Sequence, residues 1–164
     1  MKIVNELLLN HSLIIAATAW LTAGVLKVFV ELLVNKKFNL TRIFGAGGMP
    51  SSHTATVVAL SISLGYYEGL KSASFALAVI FMIIVIHDAV GVRLETGKQA
   101  KVLNKMLFES EAFSELDFET ALKEYVGHTP FQALVGAIVG ILVAIVMINI
   151  SIWKFIYKIW KKLL

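Results

Sequence analysis

Residues 45–55 read GAGGMPSSHTA and lie between two strongly apolar stretches. The glycines allow tight bends and a close approach of the backbone to a ligand. Pro50 fits the first turn of a helix, where its missing N–H is not needed. The segment therefore predicts a loop that leads into the start of an apolar helix, with polar groups gathered at the junction.

The composition of the 164-residue chain is that of a membrane protein. It is 58% hydrophobic and 16% charged, which is too apolar for an ordinary soluble domain. The absence of cysteine excludes a disulfide framework, a thiolate nucleophile and a Cys-ligated zinc. The net charge of +4 suits an anionic membrane surface better than nucleic acid, so no nucleic-acid partner is expected. We predict a single membrane-embedded domain over residues 1–164.

Four apolar stretches follow one another at residues 12–34, 51–67, 72–92 and 129–150. A spanning helix needs about 20 apolar residues, so the first, third and fourth qualify and the second is short or half-spanning. They predict an all-α, polytopic membrane helix bundle of about four transmembrane helices. A short amphipathic helix is predicted over residues 114–127, where Ser114 begins a cap and Gly127 ends the helix.

Four crossings bring the unusual polar residues to one face of the membrane. The loop at residues 35–50, the end of the third stretch at 87–105 and the start of the fourth at 127–130 all emerge there. Eight Lys and Arg residues lie on this face and six on the other. The positive-inside rule therefore favours the cytoplasmic face for the site.

The helix start at Ser51 and Ser52 is the first candidate for an anion site. N–H groups at a helix start bind anions, and both serines add hydroxyl donors. His53 is able to protonate an oxygen that leaves a bound phosphate. The alternative is a capped helix start in which the imidazole of His53 makes its hydrogen bonds within the protein.

Charged residues near the ends of the first and third stretches each have two interpretations. Arg93 suits bidentate contact with phosphate, or it neutralises Asp88 in a structural ion pair. Lys27 and Glu31 lie four residues apart, which favours an ion pair within one helix. The alternative makes Lys27 a phosphate ligand.

His128 precedes a Thr-Pro pair that marks a second helix start. Gln132 lies one turn into that helix and is able to hydrogen-bond an imidazole nitrogen. A neutral histidine held in this way, facing a second histidine across an anion, can attack phosphorus. The alternative is a histidine that contacts only the backbone. Gly136 and Gly140 form a G-x-x-x-G pattern that permits close helix contact.

Three blocks carry a resemblance to a known family: GGMPSSHTA (47–55), DAVGVR with GKQAKVLN (88–93 and 97–104) and KEYVGHTPFQALVG (123–136). Together they resemble the divergent branch of the type 2 phosphatidic acid phosphatase superfamily, over about residues 20–140. The resemblance implies that His128 is the nucleophile that forms a phosphohistidine and that His53 is the general acid. It also implies that Ser52 and the neighbouring backbone hold phosphate oxygens, with Lys27 or Arg42 in the basic role of the first block.

The chain departs from the superfamily pattern at two positions. Lys123 stands where the superfamily has an arginine before the nucleophile, which removes a bidentate fork. Gln132 stands where the superfamily has the aspartate that orients the nucleophile, and an amide cannot stabilise an imidazolium by charge. The superfamily core has six membrane helices, so a chain with about four would complete its site as a homodimer.

The sequence therefore predicts a metal-independent phosphatase of lipid phosphates or diphosphates that acts at the membrane interface, forms a phosphohistidine and uses no cofactor. Isoprenyl diphosphates and phosphatidyl phosphates both fit as substrates of this integral protein of the bacterial inner or plasma membrane. The alternative is a lipid-phosphate binding or transport protein without turnover. The predicted catalytic residues are His128, His53 and Gln132, and the predicted phosphate-binding residues are Lys27, Arg42, Gly48, Ser51, Ser52, Asp88, Arg93 and Lys123.

Overall fold

The computed structural model describes residues 4, 6–7, 9–36, 38–45, 47–109, 121–124 and 126–149. All regular structure in these ranges is helical. The main helices are α1, His11–Asn35; α2, Ser52–Tyr67; α3, Ala73–Val90; α4, Val92–Glu109; and α5, Pro130–Asn149. A 3₁₀ turn at Leu40–Ile43 lies between α1 and α2.

Polar residues at the junctions cap the helices. The Asn10 side chain accepts a hydrogen bond from the amide of Leu13 at 3.0 Å, and the Ser72 hydroxyl accepts one from the amide of Phe75 at 3.2 Å. Such caps satisfy amides that have no partner within a helix. The short polar breaks between the apolar stretches therefore set where the helices begin.

Three helical segments are long and apolar enough to cross a membrane: His11–Asn35, the 36-residue stretch Ala73–Phe108 and Pro130–Asn149. α2 has only 16 residues, fewer than the about 20 of a full crossing, as predicted for the second stretch. The outer surfaces of the helices carry exposed large apolar side chains, as contact with lipid requires. The predicted all-α membrane helix bundle is confirmed.

The interior of the bundle is built mainly from small side chains. α2 is the central helix and packs against α1, α3 and α5. Small residues let helix backbones approach closely, and this packing drives helix association in lipid. The fully buried alanines are Ala19, Ala23, Ala55, Ala59 and Ala144.

The close helix contact predicted from the G-x-x-x-G pattern is confirmed between α2 and α5. A Cβ atom on Gly136 would lie 2.4 Å from the Ser51 carbonyl oxygen, and one on Gly140 would lie 2.5 Å from that of Ala55. Both partners advance by four residues in the same direction, so α2 and α5 run parallel. The amide of Ser51 also donates to the carbonyl of Gln132 at 3.2 Å. The two helices therefore begin side by side.

Local structure differs from prediction at three places. Pro50 lies outside α2, because Ser51 is the N-terminal cap and the helix begins at Ser52. Residues 92–109 form α4, a helix that was not predicted. Residues 121–124 and 126–127, the end of the predicted amphipathic helix, are not helical, and its residues 114–120 and 125 lie outside the described residues.

Candidate active site

His53 and His128 face each other at the adjacent starts of α2 and α5. His53 is the second residue of α2, and His128 lies two residues before Pro130. Their ring centroids are 6.4 Å apart and the ring planes are inclined by 59°. This separation suits one small anion between the rings, with each imidazole in hydrogen-bond reach of it.

The backbone around His128 fixes the tautomer of its ring. Nδ1 lies 3.1 Å from the carbonyl oxygen of Gly48, and a carbonyl oxygen only accepts. Nδ1 therefore carries the proton and Nε2 keeps its lone pair. The His128 amide donates to the carbonyl of Ala89 at 3.0 Å, and the residue is 2% exposed. The arrangement leaves a lone pair on Nε2 in one orientation, and such a lone pair is chemically able to act as a nucleophile.

The surroundings of His128 favour its neutral form. Burial lowers the pKa of this imidazole below its ordinary value, and the nearby Lys27 and His53 lower it further. Hydrogen bonds with Gln132 and with the Gly48 carbonyl oppose this shift without reversing it. The lone pair on Nε2 is therefore available at neutral pH.

A cavity of about 90 Å³ lies between the two imidazoles and α3. One water molecule needs about 10–15 Å³ of such a cavity, so this cavity has room for a phosphoryl group. The Nε of Arg93 donates to the Asp88 carboxylate. The two residues therefore form the ion pair that was one of the two interpretations of Arg93. Among the residues that the structure describes, the four Nη protons of Arg93 have no acceptor, so they can bind a ligand. The cavity is lined by His53, Val85, Asp88, Ala89, Arg93, Val126 and His128.

Lys27 is a buried cation that holds the glycine loop before α2. It is 2% exposed, and its Nζ donates to the carbonyl of Gly45 at 3.0 Å. The predicted ion pair with Glu31 is wrong, because Glu31 pairs with Arg42 at 3.2 Å. Within the part of the chain that the structure describes, no carboxylate contacts the Lys27 ammonium. A Cβ on Gly48 would lie 3.3 Å from the Lys27 stem, so lysine, loop and His128 form one connected unit.

Ser51 serves as a cap and its polar groups are used within the fold. Its hydroxyl accepts hydrogen bonds from the amide of Thr54 at 3.3 Å and from the Thr54 hydroxyl at 3.0 Å. Its amide, expected to be free for an anion, is bound to Gln132. The first helical bond at this start runs from Ala55 to Ser51, so among the described residues the amides of Ser52 and His53 keep no acceptor.

Gln132 forms a capping box with Thr129 at the start of α5. The side-chain oxygen of Gln132 accepts a hydrogen bond from the backbone amide of Thr129 at 3.1 Å. The backbone amide of Gln132 donates one to the Thr129 hydroxyl at 3.3 Å. This reciprocal pair is the signature of a T-x-x-Q helix start. Gln132 therefore orders the backbone that follows His128, in addition to its effect on the imidazole.

Two predicted phosphate ligands lie apart from the imidazoles. Arg42 and Lys123 line a separate cleft of about 480 Å³, together with Gly45 and Val126. Val126 lines both this cleft and the cavity between the imidazoles. The structure therefore groups His53, His128, Asp88 and Arg93, and it places Arg42 and Lys123 in the neighbouring cleft.

Asn104 is a site-supporting residue that the sequence did not single out as functional. Its Nδ2 donates to the Leu122 carbonyl and to the Glu124 carboxylate, both at 2.9 Å, and its Oδ1 accepts from the Leu122 amide at 2.8 Å. A Cβ on Gly97 would lie 2.3 Å from the Glu124 carbonyl oxygen. These contacts seat residues 121–124 on α4, just before His128. The available signal in the sequence was an asparagine seven residues after a glycine, a spacing that places both on one face of a helix.

A sequence profile of the Divergent PAP2 family matches residues 8–143. The chain belongs to this family. The match to the Divergent PAP2 family includes α1, α2, α3 and both histidines of the cavity.

A relative of this Divergent PAP2 family chain is known from Bacillus subtilis (strain 168), where it is named an uncharacterized membrane protein, YuiD. It is 37% identical over 152 residues, which cover 87% of this chain and 96% of the relative. No solved structure matches the chain. The comparisons thus show family membership and membrane association, and the chemistry rests on the geometry of the cavity.

Proposed function

We propose that this protein removes phosphate from a phosphorylated lipid at the membrane interface, through a phosphohistidine on His128. The observation that carries the proposal is the hydrogen bond from His128 Nδ1 to the Gly48 carbonyl, which leaves Nε2 unprotonated opposite His53. Membership in the Divergent PAP2 family supports a lipid phosphate as substrate.

In the first step, Nε2 of His128 attacks phosphorus and the bond from phosphorus to the lipid oxygen breaks. Protonated His53 donates its proton to that oxygen, so the lipid leaves as an alcohol, or as a monophosphate when the substrate is a diphosphate. In the second step, neutral His53 takes a proton from water, whose oxygen attacks phosphorus. The P–N bond breaks, inorganic phosphate leaves, and both histidines return to their starting forms.

Positive groups around the cavity stabilise the phosphoryl oxygens. Arg93 keeps its Nη protons for them while Nε holds Asp88. The parallel starts of α2 and α5 add the positive ends of two helix dipoles. Lys27 adds a further positive charge, which lowers the pKa of His128. The reaction as proposed is independent of metal and cofactor.

The acceptor that orients the nucleophile is a backbone carbonyl, and not the carboxylate of a His-carboxylate pair. The Gly48 carbonyl selects the tautomer and fixes the ring, but it carries no full negative charge to stabilise an imidazolium. We therefore propose slow turnover of isoprenyl diphosphates or phosphatidyl phosphates. A site on the cytoplasmic face and a homodimer both remain part of the proposal.

Phosphate release by the purified protein in detergent, with EDTA present, tests the proposal. Wild type should release inorganic phosphate from lipid phosphates and give an acid-labile phosphoenzyme. His128→Ala should abolish both, whereas His87→Ala, an exposed histidine outside the cavity lining, should retain both. Binding of lipid phosphate without release would favour a binding or transport protein, and equal activity of the two variants would overturn the assignment of His128.

A further inference from the structure

The face of α2 that carries His53 continues into the membrane as an apolar stripe. Leu60 lies seven residues after His53 and Leu64 a further four. Spacings of seven and four place these side chains on one face of a helix. His53, the proposed general acid, therefore lies at the N-terminal end of this stripe.

The facing side of α3 shows the same continuity. Asp88 and Val85 line the catalytic cavity. Phe81, Leu77 and Ser74 follow at intervals of four, four and three residues, so they share that face. Between these faces of α2 and α3 lies an apolar groove of about 290 Å³, here called the site-face groove. It is lined by Leu60, Leu64, Ser74, Leu77, Ala78 and Phe81.

A larger groove of about 590 Å³ lies on the other side of the contact between α2 and α3. Its α2 residues include Val58 and Ile62, and it reaches Ile141 on α5. Val58 and Ile62 lie five and nine residues after His53, which at 3.6 residues per turn is about 140° and 180° around the helix. The larger groove therefore does not continue the face that carries the general acid.

We propose that the site-face groove holds the hydrocarbon chain of the phosphorylated lipid whose phosphate enters the catalytic cavity. The inference rests on the proposed function and names the part of the substrate that this groove recognises. The chain is attached to the leaving oxygen, and that oxygen takes its proton from His53. Because His53, Leu60 and Leu64 share one stripe, the leaving oxygen and the chain attached to it lie along the same face of α2.

The depth and exposure of the groove fit a single lipid chain. Leu64 lies eleven residues beyond His53, roughly 16 Å along the helix at 1.5 Å per residue. This is about half of the ~30 Å hydrocarbon core, so the chain would end near the middle of the bilayer. Leu77 is 71% exposed and Phe81 is 50% exposed, so the chain can enter sideways from the bilayer.

The groove would orient the chain more than it would add affinity. Bilayer lipid is as apolar as the groove, so transfer of a chain between them gains little hydrophobic free energy. Displacement of the chain should therefore act on the position of the phosphate, and errors of about 1 Å there cost about a hundredfold in rate.

Photocrosslinking to the wild-type protein tests where the chain lies without requiring turnover. The probe is hexadecyl phosphate with a diazirine near the end of its chain, used in detergent and mapped by mass spectrometry. We expect labels at Leu64, Leu77 or Phe81 that unlabelled hexadecyl phosphate suppresses. Labels at Val58 or Ile141, or labels spread evenly around the bundle, would overturn the inference. Specific labelling without phosphate release would support the groove and contradict the enzymatic proposal.

A kinetic comparison gives a second readout. Leu77→Trp should fill the site-face groove and lower kcat/KM for hexadecyl phosphate tenfold or more, while p-nitrophenyl phosphate, which has no chain, is hydrolysed as before. Ile141→Trp is the matched control, since Ile141 is also exposed and apolar but lines the larger groove. Equal losses in the two variants, or a loss on both substrates in Leu77→Trp, would contradict the groove assignment.

Discussion

The substitution Gly136→Ala tests whether the contact between α2 and α5 sets the geometry of the two histidines. The added Cβ would lie 2.4 Å from the Ser51 carbonyl oxygen and 3.1 Å from its amide nitrogen. Ordinary contacts begin at 3.4 Å, so the helix starts must separate by 3.4 − 2.4 = 1.0 Å. The neighbour is backbone of a capped helix, so it cannot rotate away as a flexible side chain would.

A separation of 1.0 Å between the two helix starts acts directly on the distance between the imidazoles. His53 lies two residues after Ser51, and His128 lies four residues before Gln132, whose carbonyl accepts the hydrogen bond from the Ser51 amide. Misplacement of reacting groups by about 1 Å costs about a hundredfold in rate. Overpacking of a close contact costs about 1–3 kcal/mol of stability. We expect kcat of Gly136→Ala for a lipid phosphate to fall about a hundredfold in a protein that still folds.

Phosphate release and thermal unfolding in the same detergent provide the measurement. Gly45→Ala is the matched control, because a Cβ there would lie 3.6 Å from its nearest neighbours, an ordinary contact. This control should keep wild-type kcat and melting temperature. A Gly136→Ala protein with a lowered melting temperature but wild-type kcat would refute the idea that helix contact sets the site.

Three further predictions concern single contacts. Burial and the nearby charge of Lys27 hold the pKa of His128 below its ordinary value, so the nucleophile stays neutral on acidification and the acid limb of kcat/KM should lie below about pH 6.5, while loss of the proton from His53, the general acid, gives a separate alkaline limb; an acid limb above about pH 6.5 would contradict the assignment of His128. Lys27→Met removes that charge and should move the limb to higher pH, whereas an unchanged profile would place the lysine outside the site. Asn104→Ala deprives the loop at residues 121–124 of its hydrogen bonds and should cost about 1–3 kcal/mol, measured by chemical unfolding in detergent; a neutral effect would show that other contacts seat the loop.

The convergence of the two histidines could be predicted from the sequence because it depends only on counting membrane crossings. Each crossing reverses the chain, so His53 and His128, both at starts of apolar stretches, belong to one face. The structure brings their rings to 6.4 Å. The glycine spacing that holds α2 against α5 was also readable, since close helix packing needs small residues at intervals of four.

The ion pairs could not be predicted because they depend on how a loop folds back. Glu31 is four residues from Lys27, yet the turn at Leu40–Ile43 packs on α1 and supplies Arg42 instead. Gly24 makes room for this turn, since a Cβ there would lie 3.0 Å from a methyl group of Ile43. A glycine in the middle of a helix indicates that another group packs closely there, but it does not identify that group.

The partner of His128 was hidden from the sequence for a different reason. Every residue carries a carbonyl group, so nothing in residue identity marks the Gly48 oxygen as the acceptor for the imidazole. The contact of His128 with Gln132 could be predicted, because it is made by a side chain that the sequence shows. The acceptor for the ring is set by the fold of the glycine loop, which the buried Lys27 ammonium holds through its hydrogen bond to the Gly45 carbonyl.

The role of α3 and α4 follows from the directions of the helices. Helices joined by a short loop run antiparallel, so α3 returns towards the face where α2 began. The polar helix α4 and the loop seated on it by Asn104 then bring the chain to the start of α5 on that same face. α5 can therefore lie parallel to α2, with both positive helix ends beside the cavity. An antiparallel pair would set one positive end against a negative one, so the long polar connection is what allows two helix starts to lie beside the same cavity.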